Sequence, residues 1–118
     1  MKIDFASSHQ STLGVEWELA LVDAATGELT PAAAQVLAAV GAAHPELTAD
    51  AEHPHIKQEL LLNTIELVTG VCRTVPEAKA DLARNLATLR EATDPLGVDL
   101  LCAGTHPFSH TRQQAVTD

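Results

Sequence analysis

Tyrosine is absent from the 118 residues, and the only aromatic side chains are Phe5, Trp17 and Phe108, 3% of the chain. A core built from this sequence has to be aliphatic, packed from leucine, valine and many alanines. Basic residues are also few: 7 Lys and Arg stand against 16 Asp and Glu, a formal charge of −9. A surface this acidic repels phosphate, which argues against nucleic acid or anionic membrane as a partner. No apolar run approaches the ~20 residues that cross a bilayer. The opening Met1-Lys2-Ile3-Asp4-Phe5 has neither the basic start nor the apolar stretch of a secretory signal. The expected location is cytoplasmic. The two cysteines, Cys72 and Cys102, form no CxxC spacing, and in a reducing compartment they read as small buried hydrophobes.

What remains is enough for one domain over residues 1–118, since domains average roughly 100–200 residues. A hydrophobic content of 46% excludes disorder as the ground state. Residues 1–12 are polar and read as an arm. From Leu13 to Val22 the pattern alternates, with Leu13, Val15, Trp17, Leu19 and Leu21 on one side and Glu16, Glu18, Ala20 and Val22 on the other. That period of two predicts a strand, closed by a turn at Asp23–Gly27. Thr30-Pro31 predicts a helix start with Thr30 as N-cap, and Gly41 its stop. Residues 42–55, with His44, His53 and His55, read as a long loop. Ile56–Thr69 is rich in Leu, Ile and Val and reads as strand. Thr74-Val75-Pro76-Glu77 is a capping box opening a second helix, with Ala78, Leu82, Leu86 and Leu89 on its inner face. Asp94–Gly97 ends it. Val98–Ala103 reads as a short buried strand, and from His106 onward no further element is expected.

The carboxylates carry the first chemical signal. Glu16 and Glu18, two apart on a strand, share one face with their bases about 6–7 Å apart. They suit either a wet outer face or a hard divalent cation with oxygen ligands. Glu59 and Glu66 have opposite parity, so on one straight strand they would face opposite ways. A break near Leu60–Asn63 would put them on adjacent strands, and both could then face one site. Glu66 lies between Ile65 and Leu67, where an unpartnered charge is costly. The histidines offer a rival metal reading, zinc held by His53 and His55 or by His106 and His110, although their spacings fit no zinc pattern. His106 sits in a Gly-Thr-His-Pro loop at a strand end, where sheets usually meet ligands. No phosphate loop, nucleophile elbow or HExxH is present.

Three stretches occur in one order: Gly14-Val-Glu-Trp-Glu-Leu-Ala-Leu-Val-Asp23, Gln58-Glu-Leu-Leu-Leu-Asn-Thr-Ile-Glu-Leu-Val-Thr-Gly-Val-Cys72, and Cys102-Ala-Gly-Thr-His-Pro-Phe108. Together they resemble the N-terminal part of the carboxylate-amine ligases of the type 2 glutamate–cysteine ligase family, its actinobacterial members in particular. The resemblance implies ATP-dependent amide formation through an acyl phosphate on the γ-carboxylate of glutamate, with an amine such as that of cysteine as acceptor. Magnesium would bridge the nucleotide phosphates. By resemblance Glu16, Glu18, Glu59 and Glu66 hold the metal, and Thr105 and His106 contact nucleotide or substrate. Where the family's first motif is commonly acidic in its middle, this chain has Trp17, and Leu19 replaces the usual Phe. Family members are much longer, so further site residues are expected beyond Asp118.

The element order alone would also fit a parallel α/β sheet. The resemblance favours an α+β fold: a mixed, mainly antiparallel sheet with two helices on one face, an incomplete glutamine-synthetase-like core. An open sheet edge would then invite a homo-oligomer or contact with the remainder of a longer chain. A non-catalytic assembly module derived from the same fold is the alternative function.

Overall fold

Alternation of apolar and polar residues sets the architecture. In the computed structural model, which describes residues 10–48 and 53–116, strand β1 (Glu16–Asp23) is followed by helices α1 (Ala33–Ala43) and α2 (Pro45–Thr48). The hairpin strands β2 (Ile56–Gln58) and β3 (Thr64–Val68), helix α3 (Val75–Thr93) and strand β4 (Val98–Leu101) complete the order. The sheet runs β2-β3-β1-β4, and every ladder is antiparallel. The α+β expectation holds, and the parallel alternative is excluded.

β1 is central because its two faces answer two environments. Leu19 and Leu21 are buried with Ile65 and Leu67 of β3, Ile56 of β2 and Val98 of β4, beneath Ala33, Val36 and Val40 of α1 and Leu89 and Ala92 of α3. This is the aliphatic core that the lack of aromatics requires. Alanines let α1 sit close to the sheet, and α3 brings the larger Leu82, Leu86 and Leu89. The opposite face carries Glu16 and Glu18 of β1, Glu66 of β3 and Lys57 of β2, set by register: Glu18 pairs with Glu66, and Glu66 with Lys57.

Local chemistry fixes the connections. Asp23 Oδ1 accepts from the backbone N–H of Ala25 and Thr26 at 2.9 and 2.8 Å, and Gly27 takes the left-handed conformation at φ 72°. Thr74 caps α3 by accepting from Glu77 N–H at 3.3 Å, while Glu77 Oε2 accepts from Arg73 N–H at 2.6 Å. That is the capping box, reaching one residue further back than usual. Asp81 of α3 accepts from Gly70 N–H at 2.7 Å, tying the exit of β3 to the helix.

Several expectations are corrected. The N-cap of α1 is Ala32, not Thr30: the N–H of Ala33 is satisfied at 2.9 Å by the carbonyl of Leu62, so a tertiary contact replaces the side-chain cap. Gly41 lies inside α1, which ends at Ala43. The expected loop over 42–55 contains that helix end and α2, and its residues 49–52, like the arm over residues 1–9, lie outside the described residues. β1 starts at Glu16, while Leu13 pairs further back as an isolated bridge with Cys72. β4 ends at Leu101 and is an edge strand, so only Val98 is buried. The stretch after His106 does build structure, a 3-10 turn over Thr111–Gln113 and a bridge from Val116 to Leu61. Cys72 is buried as expected, but Cys102 is exposed. Among the described residues, no helix is long and apolar enough to cross a membrane.

His53 opens β2 in a way that depends on its charge. It is buried, and its Nδ1 accepts from the N–H of His55 and Ile56 at 3.2 and 3.1 Å. Only the neutral ring with its proton on Nε2 can do this. Burial first, then the charges of His55, His44 and Lys57, hold its pKa below the ordinary 6.5. The unfolded chain therefore binds this proton first, and stability falls as pH drops below about 6.5 toward the lowered folded value. Urea unfolding at stepped pH should show that slope, and His53→Asn, which keeps an acceptor that does not titrate, should flatten it. An unchanged slope in the variant would remove His53 as the cause. Leu67, fully buried between Trp17 and Ile56 in register, should cost about 2–5 kcal/mol on replacement by Ala. A loss below about 1 kcal/mol would show that the core does not centre there.

Candidate metal centre on the open sheet face

The hairpin resolves the parity of the two later glutamates. In the β2–β3 ladder, odd-numbered residues of one strand stand opposite even-numbered residues of the other, as Lys57 stands opposite Glu66. Glu59 continues the parity of Lys57 just past the end of β2, so it faces the same side as Glu66 and sits diagonally to it. In the β1–β3 ladder, like parities meet, and Glu18 stands directly opposite Glu66. Turn and register thus bring three carboxylates from three segments to one place. Glu18, Glu59 and Glu66 each offer one oxygen, and these oxygens lie within 4.8 Å of one another.

Glu16 shares this face but lies one register step away, opposite Val68. It is outside the close group and acts on it through charge. The pKa of Glu66 is raised above its ordinary 4.5, first by burial and then by Glu16, Glu59 and Glu18, with Lys57 pulling the other way. The neighbouring acids leave Glu66 short of positive charge, and one lysine does not meet the deficit. Among the described residues, no group of three or more potential ligands includes a histidine, so the zinc reading gains no geometry. His53 and His55 serve β2, with His55 Nδ1 donating to the Val68 carbonyl at 3.0 Å.

Beside the carboxylates lies a cavity of about 520 Å³, with Glu18, Trp17, Asn63, Thr105 and His106 on its wall. The expected loop is therefore next to the acidic group. His106, however, has both ring nitrogens engaged: Nε2 donates to the Gly27 carbonyl at 2.8 Å, and Nδ1 accepts from Phe108 and Ser109 N–H at 3.3 and 3.0 Å. Its polar atoms hold the loop in shape against the β1 turn, and the exposed Thr105 lies beside it on the cavity wall. Trp17 Nε1–H donates to Cys102 Sγ at 3.2 Å, so the tryptophan in the acidic motif braces the cavity wall. Sequence reasoning missed Lys57 and Asn63. Lys57 is placed in the acidic row only by register, and an asparagine before a strand reads simply as a turn residue.

Because the pKa of Glu66 is raised, the unfolded chain loses that proton at lower pH than the folded one. The resulting penalty is absent well below 4.5 and grows as pH rises through the raised value. Glu66→Gln should therefore stabilise the metal-free chain at pH 7 by about 0.5–1 kcal/mol, the scale of one cross-strand charge pair, and not at pH 3. Thermal melts at the two pH values check this, and equal effects at both would rule out repulsion as the cause.

Comparison with known proteins places this chain in a family. Residues 12–118 match the family model described as glutamate-cysteine ligase family 2 (GCS2). The chain is 70% identical over 118 residues to a provisionally named glutamate--cysteine ligase 2-1 of Arthrobacter sp. (strain FB24), covering 100% of this chain and 31% of that protein. It is 51% identical over 117 residues to a provisionally named glutamate--cysteine ligase 2 of Leifsonia xyli subsp. xyli (strain CTCB07), covering 98% of this chain and 29% of the relative. The chain spans about a third of the length of the curated relatives it matches. With its carboxylate-bearing segments all inside the matched range, the chain belongs to glutamate-cysteine ligase family 2.

Proposed function

We propose that this chain is the metal-holding part of an ATP-dependent carboxylate–amine ligase of the glutamate–cysteine type. The observation that carries the reading is the convergence of Glu18, Glu59 and Glu66 within 4.8 Å. The donor set fits magnesium: three carboxylates are hard oxygen ligands, and Mg²⁺ characteristically takes one or two of these together with water and substrate phosphates. The pKa of Glu66 is raised first by burial and then by Glu16, Glu59 and Glu18, and a cation would relieve the second of these. Bound magnesium supplies charge neutralisation on phosphate oxygens during phosphoryl transfer.

The chain's own residues have distinct tasks. Glu18, Glu59 and Glu66 hold the ion on a rigid strand frame, and Glu16 adds to the negative field. His106 fixes the loop that carries Thr105 to the cavity wall. In the proposed reaction, the γ-carboxylate of glutamate takes the terminal phosphoryl group of ATP, releasing ADP. The amine nitrogen of the second substrate then attacks the acyl carbon, and phosphate leaves as the amide forms.

Calorimetric titration of the chain with MgCl₂ should show binding that weakens about tenfold or more in Glu18→Gln and in Glu59→Gln, a loss of about 1.4 kcal/mol or more. Undiminished affinity in both variants would sink the metal site. In a relative of full length, ADP release should require glutamate and an amine together, and release with neither would refute the ligase assignment.

A further inference from the structure

Of the acidic group only Glu18 reaches the wall of the 520 Å³ cavity, and the rest of that wall is unexplained. Asn63, at the end of the hairpin turn, lines this cavity and is only 3% exposed. Its Oδ1 is shut off from solvent and has no hydrogen-bond partner. A buried acceptor left unpaired costs about 1–3 kcal/mol, and almost all buried polar groups avoid that cost. The main chain around it is well anchored: the Asn63 carbonyl accepts from Leu21 N–H at 2.8 Å, and the adjacent Leu62 N–H donates to Ala115 at 2.8 Å. The side chain is thus held by a fixed backbone with one acceptor unused.

The rest of the wall narrows what could use it. Glu18, Thr64, Ser109 and Thr111 contribute carboxylate and hydroxyl oxygens, and Trp17 and Leu29 contribute apolar surface. Among the described residues, no lysine or arginine lines the cavity. With one carboxylate and no lysine or arginine, the lining disfavours an anion more than a partly apolar ligand that presents N–H donors, although His110 and Gln114 add further polar groups. Cavities of this size are typical of small-molecule sites. The χ2 torsion of asparagine is broad, and Oδ1 gives up no hydrogen bond in turning toward the cavity.

We propose that Asn63 is a ligand-reading residue whose Oδ1 accepts a hydrogen bond from an amino group of a ligand in this cavity. The proposal rests on the ligase reading above, which supplies two sources of that chemistry: the exocyclic amine of a nucleobase and the amine of the acceptor substrate. The acidic group next door handles phosphates through its cation, while this cavity selects by hydrogen-bond donation. Loss of Asn63 would therefore relieve the fold of an unpaired buried acceptor and impair binding.

The test is a pair of measurements on the chain and its Asn63→Leu variant, which is close in volume and has no polar atoms. Adenosine and n-propylamine are titrated separately and followed by the indole N–H resonance of Trp17, with inorganic phosphate as the anionic control. The wild-type chain should respond to adenosine or to propylamine, whichever source applies, and not to phosphate. Asn63→Leu should lose at least tenfold in that affinity while its melting temperature stays level or rises. Asn63→Asp, which keeps an acceptor, should retain binding. The proposal is overturned if phosphate binds in preference, if neither amine binds the wild-type chain, or if Asn63→Leu binds the amine unchanged. Asn63→Leu losing stability and affinity together, with Asn63→Asp failing equally, would make the residue structural only and also overturn it. The magnesium titration is read separately: amine binding without magnesium binding would remove the metal reading alone, and the reverse would remove only this one.

Discussion

The pairing of β1 with β3 is the constraint on which the rest depends. Its register sets Leu19 against Ile65 and Glu18 against Glu66, so one ladder assigns the aliphatic residues to the helices and the acids to the open face. A slip of one residue would reverse both faces, exposing Leu19, Leu21, Ile65 and Leu67 and driving carboxylates into the core. The cost of burying those charges works against every slip by an odd number of residues. The acids therefore help specify the fold even though, once it has formed, they repel one another. The ladder is extended beyond the named strands by Thr69, whose Oγ1 accepts from Val15 N–H at 2.9 Å, and by the paired backbone bonds of Leu13 and Cys72.

Everything that positions the candidate site hangs from that pairing. The β2–β3 hairpin adds Glu59 and Lys57 to the row, and it is held from behind by the α3 contacts that secure the end of β3. Asn85 Nδ2 and the His55 ring both donate to the Val68 carbonyl, at 3.3 and 3.0 Å, which joins the helix layer to the hairpin at one oxygen. On the other side, His106 fastens the loop after β4 to the β1 turn at Gly27. The cavity thus has walls from four separate segments, each fixed by backbone hydrogen bonds rather than by side chains alone.

Much of this was legible in the sequence, and the failures have physical causes. The Asp23–Gly27 turn and the Thr74 capping box are local signals and appear where expected, while the alternation from Leu13 becomes a regular strand only from Glu16. The parity conflict between Glu59 and Glu66 raises a break near Leu60–Asn63 as one reading, and the β2–β3 hairpin turns at that place. The start of α1 was misread because Leu62 satisfies Ala33 across the fold, a contact that no local cap reveals. The 3-10 turn over Thr111–Gln113 escaped notice because it is held by the Leu61–Val116 bridge and the Leu62–Ala115 bond. Within the candidate site, Glu66 stands out in the sequence as a carboxylate between Ile65 and Leu67, while Glu16 and Glu18 are marked only by a shared strand face, a common pattern. His106 was legible in position but not in role, since only tertiary structure reveals that both nitrogens face the backbone.

The two polar groups the fold satisfies least lie in one corner of it. Glu66 carries a pKa raised first by burial and then by its acidic neighbours, and Asn63 buries an acceptor with no partner; they sit on the same short stretch of chain, at the turn into β3 and along it. Elsewhere the described chain settles its polar groups carefully: Asp23, Asp81, Thr74, His53 and His106 each have named partners. A sequence under selection for stability alone would replace Glu66 by an uncharged residue and Asn63 by an apolar one, and either change would leave the surrounding backbone bonds intact. Places where a chain breaks local rules without compensation inside the fold are where ligands are expected to complete it. On the readings proposed above, a cation would relieve the acidic surroundings of Glu66 and a donor would pair the free oxygen of Asn63. A single ligand pairing a metal-bound phosphate with an amino group would meet both demands at neighbouring positions.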